Sequence, residues 1–138
     1  MDERLTAEAA MRGAEFRSSL RRFLRHSEQV ARACGLTPQR YLLLLMIKGA
    51  ADHSEQSTVT ELADRLQLAQ STVTELVRRA EEIGLIERER SPVDGRIAYL
   101  RLSAEGERRL ASTFTSNDTE RQTLLDAFES LRGRVTAG

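Results

Sequence analysis

Between Gln70 and Arg79 the chain sets short polar side chains ahead of charged ones: Gln70, Ser71, Thr72 and Thr74, then Glu75, Arg78 and Arg79. A second polar group follows in Arg90 and in the turn SPVDGRIAYLRLS (91–103), which carries Asp94, Gly95 and Arg96. Hydroxyls and amides of this size can approach base edges closely, and a guanidinium fork matches phosphate or guanine oxygens. Glu75 can accept a hydrogen bond from cytosine N4, and can equally repel phosphate. None of this is bond-making chemistry. The sequence holds no Ser/His/Asp arrangement, no phosphate-cradling glycine loop and no cluster of metal ligands, so no catalytic residue, metal or cofactor is expected. His26 and His53 stand apart from each other, and Cys34 has no second cysteine to pair with or to resolve it.

The elements that must position these side chains are mostly helical in period. Phe16, Leu20, Phe23, Leu24, Val30, Ala31 and Cys34 recur at helical spacing over a segment from Leu5 to Cys34, with Arg17, Arg21, Arg22, Arg25 and Arg32 on or beside its polar side. Gly35 stops it, and Thr37-Pro38 starts a second helix as N-cap and first residue. That helix, with YLLLLMIKGAA, is apolar nearly all round and therefore buried. Residues 52–57 read as a polar loop. Thr58 and Glu61 fit a capping box opening a short helix to Leu66. After a break at 67–70 another helix runs from about Ser71 to Ile83, with Val73, Leu76, Val77, Ala80 and Ile83 on one face and Gly84 at its end. Residues 85–90 and 97–102 read as two strands joined by the charged turn. Ser103 caps a helix through Leu110 and Phe114. The last helix carries an apolar stripe of Leu124, Leu125, Phe128 and Leu131.

Two helices joined by a three- or four-residue turn make a helix-turn-helix, and a charged hairpin directly after it makes a winged helix. Polar groups at the start of the second helix and arginines further along suit entry into a major groove by the helix N-terminus. Arg96 at the wing tip suits the minor groove, with Asp94 pairing to it or to Arg90 and holding the tip in shape. Arg78 and Arg79 also have a plainer reading, as a solvated face paired with Glu75 and Glu82.

Length and composition agree with a small soluble protein. The 138 residues are 40% hydrophobic and 30% charged, without Trp, and no apolar run approaches a membrane span. The charged start MDERLTAEAAMRGAEF lacks the apolar centre of a signal peptide, and a single cysteine suits a reducing cytoplasm. Net charge is zero, yet residues 1–50 carry nine basic and five acidic side chains, against seven and ten over 51–102. Twenty of the 21 basic residues are Arg. The balance predicts weak non-specific attraction to a polyanion, without excluding a specific site.

LTPQRYLLLL (36–45), TVTELADRL (58–66), STVTELVRRAEEIGLIERERS (71–91) and DGRIAYLRLSAEG (94–106) resemble the MarR family of bacterial transcriptional regulators. The last matches that family's wing signature, and the resemblance extends over about the whole chain. It departs at Glu75, where family members commonly carry a basic residue. The fold expected is mainly α with a two-stranded β-wing: an N-terminal dimerisation helix (1–35), a winged helix-turn-helix (36–103) and C-terminal dimerisation helices (104–138). The resemblance implies a homodimer that binds a palindromic double-stranded DNA operator, usually as a repressor. It also implies release by a small aromatic acid or by cysteine oxidation. For such an effector, Arg17, Arg21, Tyr41 and Met46 are the candidate pocket residues, with core packing the alternative for the last two. Phe16, Leu20, Leu124, Leu125, Phe128 and Leu131 are the candidate dimer contacts, since the terminal helices hold more apolar surface than a small winged helix can cover. The competing expectation is a winged helix that docks a partner protein and no longer binds DNA, favoured by zero net charge and Glu75.

Overall fold

The computed structural model describes residues 4–137, with side chains to residue 132. In chain order the elements are α1 (Ala7–Ala33), α2 (Pro38–Lys48), β1 (Gln56–Ser57), α3 (Val59–Leu66), α4 (Gln70–Glu82), β2 (Ile86–Arg90), β3 (Ala98–Leu102), α5 (Ala104–Ser116) and α6 (Asp118–Ala137). They form two compact units, one of residues up to Val30 together with those from Thr115, the other Ala31–Phe114.

In the second unit Leu43, Leu44, Ile47, Leu62, Val73, Val77, Leu85 and Leu100 are wholly buried. Burying each such side chain is worth about 1.5–3 kcal/mol, so the core anchors α2, α3, α4 and the sheet to one another. Local signals agree with that packing. The Thr37 side chain accepts from Arg40 N (3.1 Å) ahead of Pro38. Thr58 and Glu61 close both halves of the capping box, Glu61 N donating to Thr58 Oγ1 (3.2 Å) and Thr58 N to Glu61 Oε1 (3.2 Å). Gln67 turns the chain between α3 and α4 in the left-handed region at φ 56°.

The sheet departs from expectation. The two wing strands belong to a three-stranded antiparallel sheet, order β1-β3-β2, because Gln56 and Ser57 pair with Arg101 and Leu100 on the far edge of β3. Two residues carry too little alternation to be read as a strand, and their partners lie far along the chain. β2 and β3 pair from Ile86↔Leu102 to Arg90↔Ala98.

Ser103 and Gly106 tie α5 to the base of the wing. Ser103 N donates to Leu85 O (3.0 Å), its hydroxyl donates to Gly84 O (2.5 Å), and Gly106 N donates back to Ser103 Oγ (3.0 Å). A Cβ on Gly106 would stand 2.1 Å from Leu85 O, so only glycine lets α5 approach this closely. Up to Phe114, α5 packs with the winged helix, and Leu110 joins the core.

In the first unit α1 and α6 pack through Phe16 and Phe128, whose rings stack with centroids 4.6 Å apart. Leu20, Phe23, Leu124 and Leu131 are half-buried, while Met11, Leu24 and Leu125 are about half exposed. Among the described residues no helix is long and apolar enough to cross a membrane.

Candidate nucleic-acid interface

α4 is backed by Val73, Val77 and Ala80, each fully buried. Ile83, expected on the same face, is 48% exposed: it is the C-cap residue, and Gly84 at φ 78° turns the chain away before another helical turn forms. The opposite face presents Gln70, Ser71, Thr72, Thr74, Arg78 and Arg79 to solvent, with Glu75 half-buried. No side chain caps the start of α4, whose N-cap residue is Ala69.

The arginines of α4 are held by carboxylates. Glu75 Oε1 accepts from Arg78 Nη2 (2.5 Å) and from Arg79 Nε (3.0 Å), while Oε2 accepts from Arg78 Nε (3.0 Å). Arg78 also bonds Glu82 through Nη1. Arg78 and then Arg79 hold the Glu75 carboxyl well below its ordinary range, at about 2, and Glu75 in turn raises Arg78. The solvated, ion-paired reading of this face is therefore the geometry of the unbound chain. Next to it, Arg88 of β2 is tied to Glu81 (2.7 Å).

The wing tip is built differently. Asp94 Oδ1 accepts from the backbone N of Arg96 (3.0 Å), and Arg90 Nη1 donates to Gly95 O (2.7 Å). Ser91 Oγ accepts from Val93 N and Asp94 N, each at 3.2 Å. The expected pairing of the Asp94 carboxylate with Arg96 or Arg90 is thus replaced by backbone bonds, because a two-residue offset in a tight turn aims the carboxylate at the amide. Among the described residues the Arg96 guanidinium takes part in no ion pair; it borders a groove with Thr58, Val59, Thr60 and Arg88.

The four candidate effector residues divide between the two units. Arg17 and Arg21 line a shallow groove along α1 with Ser18, Arg22 and Arg25. Tyr41 is 5% exposed in the core of the other unit, and Met46 packs against that core. A cavity that the sequence did not signal, about 240 Å³, lies between α2 and α5, lined by Leu45, Gly49, Leu110 and Phe114. Lys48 stands at it, bonded to Glu55 (2.7 Å) and Glu107 (2.9 Å), which raise its pKa in that order. Its lining residues come from two helices distant in sequence, so no local pattern announces it. Cys34 is half-buried, with Sγ 3.7 Å from Ser112 Oγ. Among the described residues no group of His, Cys, Asp or Glu is arranged to hold a metal ion.

The family model for the MarR family matches residues 35–97, which run from the turn before α2 to the wing. Residues 35–97 are a MarR-family winged helix. The chain is 33% identical over 95 residues to the uncharacterized HTH-type transcriptional regulator YsmB of Bacillus subtilis (strain 168), a match covering 69% of this chain and 60% of that protein. The chain thus spans less than two thirds of the curated relatives it matches. The MarR-family fold extends further than the matched residues. AbsC, a MarR family transcriptional regulator from Streptomyces coelicolor, superposes with TM-score 0.76 at 17% identity, over 99% of this chain and 93% of that one. A mutant MarR from E. coli complexed with operator DNA gives TM-score 0.70 at 19% identity, over 91% of each chain.

Proposed function

We propose that this protein is a dimeric, sequence-specific DNA-binding transcriptional regulator of the cytoplasm, acting as a repressor on a palindromic operator. One observation carries the reading. A helix-turn-helix whose second helix is fully backed by core is followed by a wing whose tip arginine, among the described residues, takes part in no ion pair. Ser71, Thr72 and Thr74 meet base edges, Arg78 and Arg79 reach phosphates, and Arg96 enters the minor groove beside them. The operator-bound MarR neighbour supports the same docking mode by its fold.

Exposed Met11, Leu24 and Leu125, with half-buried Leu20, Leu124, Phe128 and Leu131 around the Phe16 stack, supply apolar surface for a second copy. Two recognition helices then stand about 34 Å apart and read adjacent half-sites. A small aromatic acid releasing the operator fits the family. Arg17 and Arg21 on α1, and separately Tyr41 and Met46 on α2, are the proposed effector contacts, each pair within its own unit.

Two measurements test this. Light scattering should give a species of about 31 kDa, twice the 15.5 kDa chain, and a concentration-independent monomer refutes the dimer. Selection from a random-sequence duplex pool should return a palindrome whose affinity falls steeply with salt. The neutralised arginines of α4 favour a second reading, a winged helix that docks a protein partner; retention of no duplex at low salt would support it.

A further inference from the structure

We infer that Glu75 is the specificity-determining residue of α4, coupling the reading of one C·G base pair to the release of arginine to phosphate; this rests on the DNA-binding reading above. Glu75 sits at the centre of a four-residue cluster whose charges cancel, two guanidiniums against Glu75 and Glu82. The two cations that would hold the DNA backbone are therefore occupied before DNA arrives. On a non-cognate duplex they have no reason to leave. A carboxylate stripped of both arginines beside a row of phosphates would be desolvated and repelled.

A base-edge amino group changes that balance. Cytosine N4 is the donor that a carboxylate matches in the major groove. Where it meets Glu75, the carboxylate keeps a hydrogen-bond partner, and Arg79 can swing to a phosphate. Arg78 is held by both Glu75 and Glu82, so it gives up one partner and retains the other. The exchange makes no covalent change; a guanidinium–carboxylate bond is replaced by an amino–carboxylate and a guanidinium–phosphate bond. Glu75 is about half exposed, and the Arg78 and Arg79 side chains are 55% and 59% exposed, which leaves room for the swing. Cognate binding should therefore engage at least one more phosphate than non-cognate binding does. Non-specific attraction, already weak at zero net charge, is suppressed further.

Glu75→Gln in the full-length chain tests the proposal, using duplexes selected from a random-sequence pool and a non-cognate duplex of equal length. Wild type should lose roughly 5- to 100-fold in affinity when one C·G pair of the selected site is replaced. Its slope of log affinity against log salt should be steeper on cognate than on non-cognate DNA by about one unit, at ~0.9 per phosphate. Glu75→Gln should abolish the preference at that single pair or move it toward A·T, which an amide matches. It should also bring the two slopes together and raise non-cognate affinity. Wild-type base preference and slopes retained in Glu75→Gln, with only a changed melting temperature, would mean the cluster is merely structural and overturn the inference. If wild type and variant both retain nothing from the pool at about 50 mM salt, the DNA-binding reading falls first and this one with it.

Discussion

α4 and the wing each carry arginines toward solvent, and they hold them in opposite ways. On α4 both guanidiniums are bound by side-chain carboxylates three or four residues away. On the wing Asp94 binds backbone, Arg90 binds a carbonyl, and Arg96 is left unpaired among the described residues. The difference follows from geometry. A helix brings i, i+3 and i+4 side chains together, so Glu75 must meet Arg78 and Arg79. A tight turn brings a side chain to its own following amides, so Asp94 organises the backbone and leaves Arg96 outside. Two arginines on each thus give one masked surface and one open one. In the proposed DNA complex Arg96 is available at once, whereas Arg78 and Arg79 must first give up carboxylate partners.

The largest effect should come from beneath both surfaces. Gly106→Ala puts a methyl against Leu85 O, where α5 meets the base of the wing. Overpacking against backbone should cost about 3 kcal/mol and lower the melting temperature on the order of 10 °C in calorimetry. An unchanged melting temperature would show that α5 does not brace the hairpin. Arg96→Ala comes next. It should cost about 1–2 kcal/mol of DNA affinity in fluorescence anisotropy, with loss of minor-groove preference. Arg79→Ala should cost less, because it removes a cation that the unbound chain already neutralises; equal losses would erase the contrast between the two surfaces.

Acid titration separates the regions more gently. The folded Glu75 value of about 2 lies below the ordinary 4.5, so its contribution to stability is complete above about pH 4.5. It is lost as the pH falls toward 2. The melting-temperature difference between wild type and Glu75→Gln should be constant near neutrality and vanish across that window. A difference that persists at pH 2 would mean the carboxylate is not the source. Smallest of all, Asp94→Ala should lose under ~1 kcal/mol of stability. Amide exchange at Arg96 should nevertheless speed up, reporting a loosened tip, while an unchanged rate would remove the turn's role in aiming the arginine.

Much of this was legible from the residues. Thr37-Pro38, the Thr58/Glu61 box, Gly84 and Ser103 act over four residues or fewer, and each marks its boundary where the chain folds. The buried face of α4 followed from period alone, except at Ile83, where the final turn of the helix is replaced by a left-handed glycine. The arginine–glutamate cluster was visible as one of two readings, and spacing could not choose between a solvated pair and free cations.

Other features were decided only when distant segments met. β1 exists because β3 offers an unpaired edge, and a strand of two residues has no pattern of its own. The cavity beside Lys48 exists because α2 and α5 pack side by side. Gly106 could be read as part of a signature, but its reason is the carbonyl of Leu85, about 21 residues back by chain and in direct contact by fold. Sequence by itself determined helix periods, caps and the charged turn, since those energies are local. Tertiary structure decided which side chains share a surface and which partners each charge finds, since those depend on contacts that no short window of residues contains.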